Sequence, residues 1–204
     1  MDRAALLAGA ALVTAAVYWY MNQGDFTSST DGADDGGSAP TAGDDASNIL
    51  EDGIETMKSM INNWPTGSGV YQDMITAAAA STGVPVEIAA WLFWKESRYI
   101  PDVIYGRTRS RVGALGIAQF MPATAVERLG SVDAALDPQR AIPGAMSYLR
   151  SLYDSTGSWT GALAAYNWGI GNVKRKGLAA APAETTDYYT TILARANGTG
   201  GTYA

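Results

Sequence analysis

Apolar positions along the chain recur at helical spacing, and no stretch alternates convincingly with polar residues at period two. Leu50, Ile54, Met57 and Ile61 fall four, three and four positions apart, which predicts an amphipathic helix over residues 49–61. Such a helix either docks on the rest of the protein or lies on a membrane; docking is the expectation. Val70, Met74, Ala77 and Ala78 mark a second helix over 69–82, stopped by Gly83, and Pro85 stands at the head of a third that runs to about residue 98. Further helices are expected at 122–129, at 141–153 with Ala145, Tyr148, Leu149 and Leu152 on one face, at 158–167 and at 185–196. The expected fold class is all-α.

Residues 4–20, AALLAGAALVTAAVYWY, carry no charge and end in Tyr18, Trp19 and Tyr20, aromatics of the kind that settle at a membrane interface. As a helix this segment reaches about 25 Å, against a hydrocarbon core of about 30 Å. Arg3 precedes it and acidic residues follow, so the positive-inside rule keeps the amino terminus in the cytoplasm and sends the remainder across. A cleaved signal peptide and a buried core helix are the competing readings. Small triplets such as Ala8-Gly9-Ala10 come too early to end an h-region, and without cysteine there is no lipobox, so an uncleaved anchor over 1–21 is expected. The next stretch, 22–48, is rich in Gly, Ser, Thr and Asp and too poor in large apolar residues to fold. It reads as a tether with a root-mean-square reach of order 30 Å. The expected organisation is therefore anchor, linker, amphipathic helix over 49–65, a folded domain over 66–197 and a tail over 198–204.

The acidity of the chain belongs to that linker. Six aspartates (Asp25, Asp31, Asp34, Asp35, Asp44 and Asp45) account for the formal net charge of −6, while residues 66–196 hold 10 acids and 12 bases. So small an excess gives no argument for nucleic acid as a partner. Histidine and cysteine are both absent, which removes thiol nucleophiles, Ser-His-Asp triads, disulfides and the usual zinc ligands. Any chemistry here falls to carboxylates, hydroxyls, amides or lysines.

One carboxylate stands out. Residues three, four and seven before Glu96 are Phe93, Leu92 and Ala89, so on a helix Glu96 emerges from an apolar stripe. Desolvation there disfavours the charged form and raises the pKa, as a general acid working near neutrality requires. The competing reading is a surface carboxylate near a helix C-terminus, paired with Lys95 or Arg98.

Four blocks in order change the balance: Glu96-Ser97, then GIAQFMPATA (116–125), AAYNWGIGNV (164–173) and ETTDYY (184–189). Together they resemble the lytic transglycosylase domain of the soluble lytic transglycosylase (SLT) type, a lysozyme-like, all-helical fold that cleaves peptidoglycan glycan strands. The resemblance covers about 120 residues. It implies that Glu96 is the single catalytic acid/base and that Ser97 supports its position. It further implies that Gln119 and Met121 contact sugar and that Gly116 permits close backbone approach. Tyr166 matches the tyrosine whose hydroxyl approaches the acid, Asn167 a structural or sugar-contacting amide, Glu184 a second acidic residue lining the cleft, and Tyr188 an aromatic four positions later. Ala118 departs from the family, which usually has a larger apolar residue there. On their own, Tyr166 could be core, Gln119 a turn cap and Glu184 a charge favoured by a helix dipole.

A single acid suits intramolecular transglycosylation, in which the sugar's own 6-hydroxyl attacks and a 1,6-anhydro-N-acetylmuramic acid end results; the resemblance calls for no metal or cofactor. A goose-type lysozyme-like hydrolase and a non-catalytic wall-binding virion protein are the alternatives. The expected partners are a glycan strand and, through residues 4–20, a membrane, with a monomeric catalytic domain facing the periplasm or carried in a phage virion. The connection after Glu96 looks longer than the family's and carries Arg107, Arg109 and Arg111, either as a cleft rim or as a solvated turn.

Overall fold

The computed structural model describes residues 51, 53, 64–108, 110–198 and 203. The anchor, the linker and nearly all of the helix expected over 49–61 lie outside the described residues, as does Arg109. None of the described helices is long and apolar enough to cross a membrane.

The fold is helical, as expected, with eight α-helices among the described residues from 64 onward: α1 (Gln72–Thr82), α2 (Val86–Ser97), α3 (Pro101–Ile104), α4 (Pro122–Leu129), α5 (Pro138–Thr156), α6 (Trp159–Trp168), α7 (Ile170–Lys176) and α8 (Ala183–Gly198). Short 3-10 turns cover Gly69–Tyr71, Asp133–Leu136 and Leu178–Ala180. The only extended pairing among the described residues is an antiparallel bridge between Leu115 and Phe120.

Helix α2 runs through the centre. Ile88, Ala89, Ala90, Leu92 and Phe93 are completely buried, and α8 packs along one side of the helix while α1 packs along another. Burial on this scale is worth about 1.5–3 kcal/mol for each large side chain, so α2 is fixed from all sides before any functional group is placed. Helix α5 packs on α1 and α6, and α6 in turn on α8, which closes the bundle around Ile142, Met146, Leu149, Leu163 and Ile192.

Helix ends follow local chemistry. The Asp137 carboxylate accepts from the Gln139 amide at 3.0 Å and starts α5 three residues before its expected start, while Gly157, at φ 75°, ends it. The Ser158 hydroxyl accepts from the Gly161 amide at 3.0 Å and caps α6. Helices α3 and α7, each under two turns, were not expected; segments so short show no periodicity. Tyr203, in the stretch set apart as a tail, packs against the core, and its hydroxyl donates to Glu87 Oε2 at 2.8 Å. The side-chain amide of Asn197 holds the Tyr203 backbone from both sides, accepting from its N–H at 2.6 Å and donating to its carbonyl at 3.1 Å.

Candidate active site

Glu96 is the second-last residue of α2, and the end of that helix is held by several constraints. Arg98 and Tyr99 both adopt φ of 54°, in the left-handed region that residues with a Cβ avoid at a cost of roughly 1–2 kcal/mol each. Ser97 offsets that cost: its buried hydroxyl donates to the Phe93 carbonyl at 3.0 Å and accepts the Tyr99 amide at 3.2 Å. The Tyr99 ring is buried, stacks on Tyr71 at 5.8 Å and donates its hydroxyl to the Ala90 carbonyl at 2.8 Å. Ser97 thus fixes the turn directly behind the acid.

The Glu96 carboxyl is partly buried, and its Oε1 accepts a hydrogen bond from the Tyr188 hydroxyl at 2.5 Å. Burial pushes its pKa up to about 7, against the opposing pull of the Tyr188 hydrogen bond and the Lys95 charge. The bland alternative for Glu96 is not what the geometry gives. Lys95 instead pairs with Asp187 on α8 at 2.6 Å, and the Arg98 guanidinium stacks on the Trp94 ring at 3.5 Å.

Tyr166 reaches the same place from α6. Its hydroxyl donates to the Ala118 carbonyl at 2.9 Å, and the hydrogen bond to the acid comes from Tyr188. Burial first, and then the neighbouring Glu96 charge, push both phenols well above the usual tyrosine range, which places the three groups in mutual electrostatic contact.

The Ala118 carbonyl lies in a tight turn whose ends, Leu115 and Phe120, exchange two backbone hydrogen bonds of 2.9 Å. Gly116 takes φ 74° there, and a Cβ on it would fall 1.6 Å from the Ala135 carbonyl oxygen. The close approach permitted by Gly116 is therefore to the protein's own backbone. Gln119 takes φ 49° and its side-chain amide donates to the Gly116 carbonyl at 2.8 Å, leaving the amide oxygen without a partner in that turn. Met121 follows, exposed, immediately before α4. Ala118 itself is fully buried, its small side chain matching the close seat of its carbonyl on Tyr166.

Asn167 is exposed and accepts from the buried Thr185 hydroxyl at 2.7 Å, tying the end of α6 to the start of α8. Glu184 is exposed one turn before Tyr188 on the same helix. Sequence reasoning missed Asp187 and Thr185 as partners of two site helices. Their signal was faint: each stands inside the ETTDYY block, next to a residue already singled out. Asp102, the acid nearest after Glu96 in the chain, is exposed and paired with Arg107 at 2.9 Å.

Residues 73–188 match the family described as Transglycosylase SLT domain. A protein of Enterobacteria phage PRD1 described as "Transglycosylase" is 38% identical over 104 residues, a span covering 51% of this chain and 37% of that protein. The match thus spans just over a third of the phage protein's length.

Proposed function

Because the chain belongs to the SLT transglycosylase family, we propose that it is a peptidoglycan lytic transglycosylase that cleaves the bond between N-acetylmuramic acid and N-acetylglucosamine. The observation that carries this reading is Glu96, a carboxyl held near neutrality in a partly buried position beside two tyrosines. Protonated, it donates to the glycosidic oxygen, and the N-acetylglucosamine side leaves as a neutral alcohol. The resulting carboxylate takes the proton from the muramic acid 6-hydroxyl as that oxygen bonds to the anomeric carbon. The products are a 1,6-anhydro end and Glu96 protonated again. Nucleophile and electrophile share one ring, which spares the entropy of recruiting water. A pKa of about 7 suits both halves of this cycle, because the group can give and take a proton at nearly equal cost.

Tyr188 orients the carboxyl, while Tyr166 fixes the 115–120 turn and so places Gln119 and Met121 as one wall of the glycan trough. Asn167 and Glu184, both exposed, are the further candidates for contact with the glycan. Residues 4–20 anchor the enzyme with its catalytic domain facing the wall, in the periplasm or within a phage particle, where it opens the wall locally. The relative from phage PRD1 supports the viral setting.

Mass spectrometry of digested sacculi tests the reaction. Anhydro ends support it; reducing ends alone would make the protein a goose-type muramidase. Sacculus binding without any cleavage would make it a wall-binding scaffold.

A further inference from the structure

We propose that Asp187 is a positioning residue for this reaction: by holding the Lys95 ammonium at its own carboxylate, it limits how far that charge can stabilise the ionised form of Glu96. The inference rests on Glu96 being the acid of the proposed reaction. Its basis is a pair of adjacent rungs between α2 and α8. Lys95 meets Asp187 at 2.6 Å, and the next residue on each helix forms the second rung, Tyr188 on Glu96 at 2.5 Å. The Lys95 side chain is 17% exposed and that of Asp187 69%, so the cation is tucked in beside the site while its partner faces solvent.

The charged and titratable groups around this end of α2 come from four helices and the turn after α2, where Arg98 stacks on Trp94, as does Arg195 of α8. Lys95 lies on α2 itself, Tyr188 and Asp187 on α8, and Tyr166 on α6, with Tyr148 of α5 acting through Tyr166. The 115–120 turn contributes no ionisable side chain. Of the cations Lys95 is the one whose charge pulls the Glu96 pKa down, the two arginines being stacked on Trp94. A lysine stem is long and flexible, and an ammonium released from Asp187 would settle against the nearest carboxylate. Asp187 prevents that by holding the ammonium at 2.6 Å on its own, solvent-facing carboxylate.

Opposite signs test this. The full-length protein and its variants are assayed on sacculi for kcat/KM between pH 5 and pH 9, with the Glu96 carboxyl followed in parallel by carbon-13 NMR. Asp187→Asn is expected to lower the ratio of kcat/KM at pH 8 to that at pH 5 by about two- to threefold, as Glu96 ionises earlier. Lys95→Gln is expected to raise the ratio, Asp187→Asn added to Lys95→Gln to change it no further, and Asp187→Glu to keep it near wild type. A pair that merely ties two helices together would give both single variants the same loss at every pH. That result, or an unmoved Glu96 titration in Asp187→Asn, overturns the inference. Glu96→Gln separates it from its premise: an inactive Glu96→Gln with an unmoved ratio in Asp187→Asn overturns the role of Asp187 alone, whereas activity persisting in Glu96→Gln overturns the catalytic assignment as well.

Discussion

The Tyr188 hydroxyl donates to Glu96 Oε1 at 2.5 Å, across two helices whose residues are 92 positions apart in the chain. A hydrogen bond donated to a carboxylate favours its ionised form, so it works against the burial that keeps the proton on. Replacing Tyr188 with Phe therefore raises the Glu96 pKa above about 7 and extends the upper limb of the kcat/KM profile to higher pH. It also leaves the carboxyl less well oriented. With a hydrogen bond to a charged group worth about 1.5–3 kcal/mol, kcat/KM at pH 6 should fall by about tenfold or more.

Glu96→Gln should reduce anhydro-product formation by at least about a hundredfold, the lower end of what general acid–base catalysis contributes. The same substitution should stabilise the fold. A carboxyl with its pKa raised from 4.5 to about 7 binds more protons folded than unfolded, so stability falls as pH rises through that window. Denaturant titration should show Glu96→Gln about 2–3 kcal/mol more stable than wild type at pH 8, with the gain shrinking to little below pH 4.5.

Tyr166→Phe removes the donor to the Ala118 carbonyl and leaves a buried acceptor unpaired. The expected cost is about 1–3 kcal/mol, read as a lower Tm. Because the turn carrying Gln119 and Met121 then loosens, KM for sacculi should rise more than kcat falls.

Gly116→Ala should abolish soluble folded protein or shift the whole turn, since the added carbon meets the Ala135 carbonyl oxygen at 1.6 Å and the residue sits at φ 74°. Gly113→Ala makes the control. That residue also has positive φ, 80°, but nothing lies within 4 Å of a Cβ there, so only about 1 kcal/mol of backbone strain is expected.

The helices that could be read from the sequence are those that carry their own punctuation. Helix α4 occupies the expected span because Pro122 opens it and Gly130, at φ 83°, closes it. Helix α5 is longer than its apolar stripe because the Asp137 cap and Gly157 act beyond that stripe, and Pro143 inside it does not break it. The order of the motif blocks singled out Glu96, Tyr166 and Tyr188, but not that Tyr188 is the phenol bonded to the acid. That choice depends on where the Ala118 carbonyl lies, 48 residues from Tyr166 in the chain, and no local pattern encodes it. The Lys95–Asp187 and Asn167–Thr185 pairs were hidden for the same reason: each is made by the packing of one helix on another.

Both ends of α2 are held by residues that come much later in the chain: Glu87 near its head by Tyr203, and Lys95 and Glu96 near its foot by Asp187 and Tyr188. A ribosome delivers the chain from its amino end, so a nascent protein would carry its acid for most of synthesis without the phenol that orients it. The hydrogen bond that orients the Glu96 carboxyl would then form only once α8 has emerged and docked, a timing built into the order of the helices.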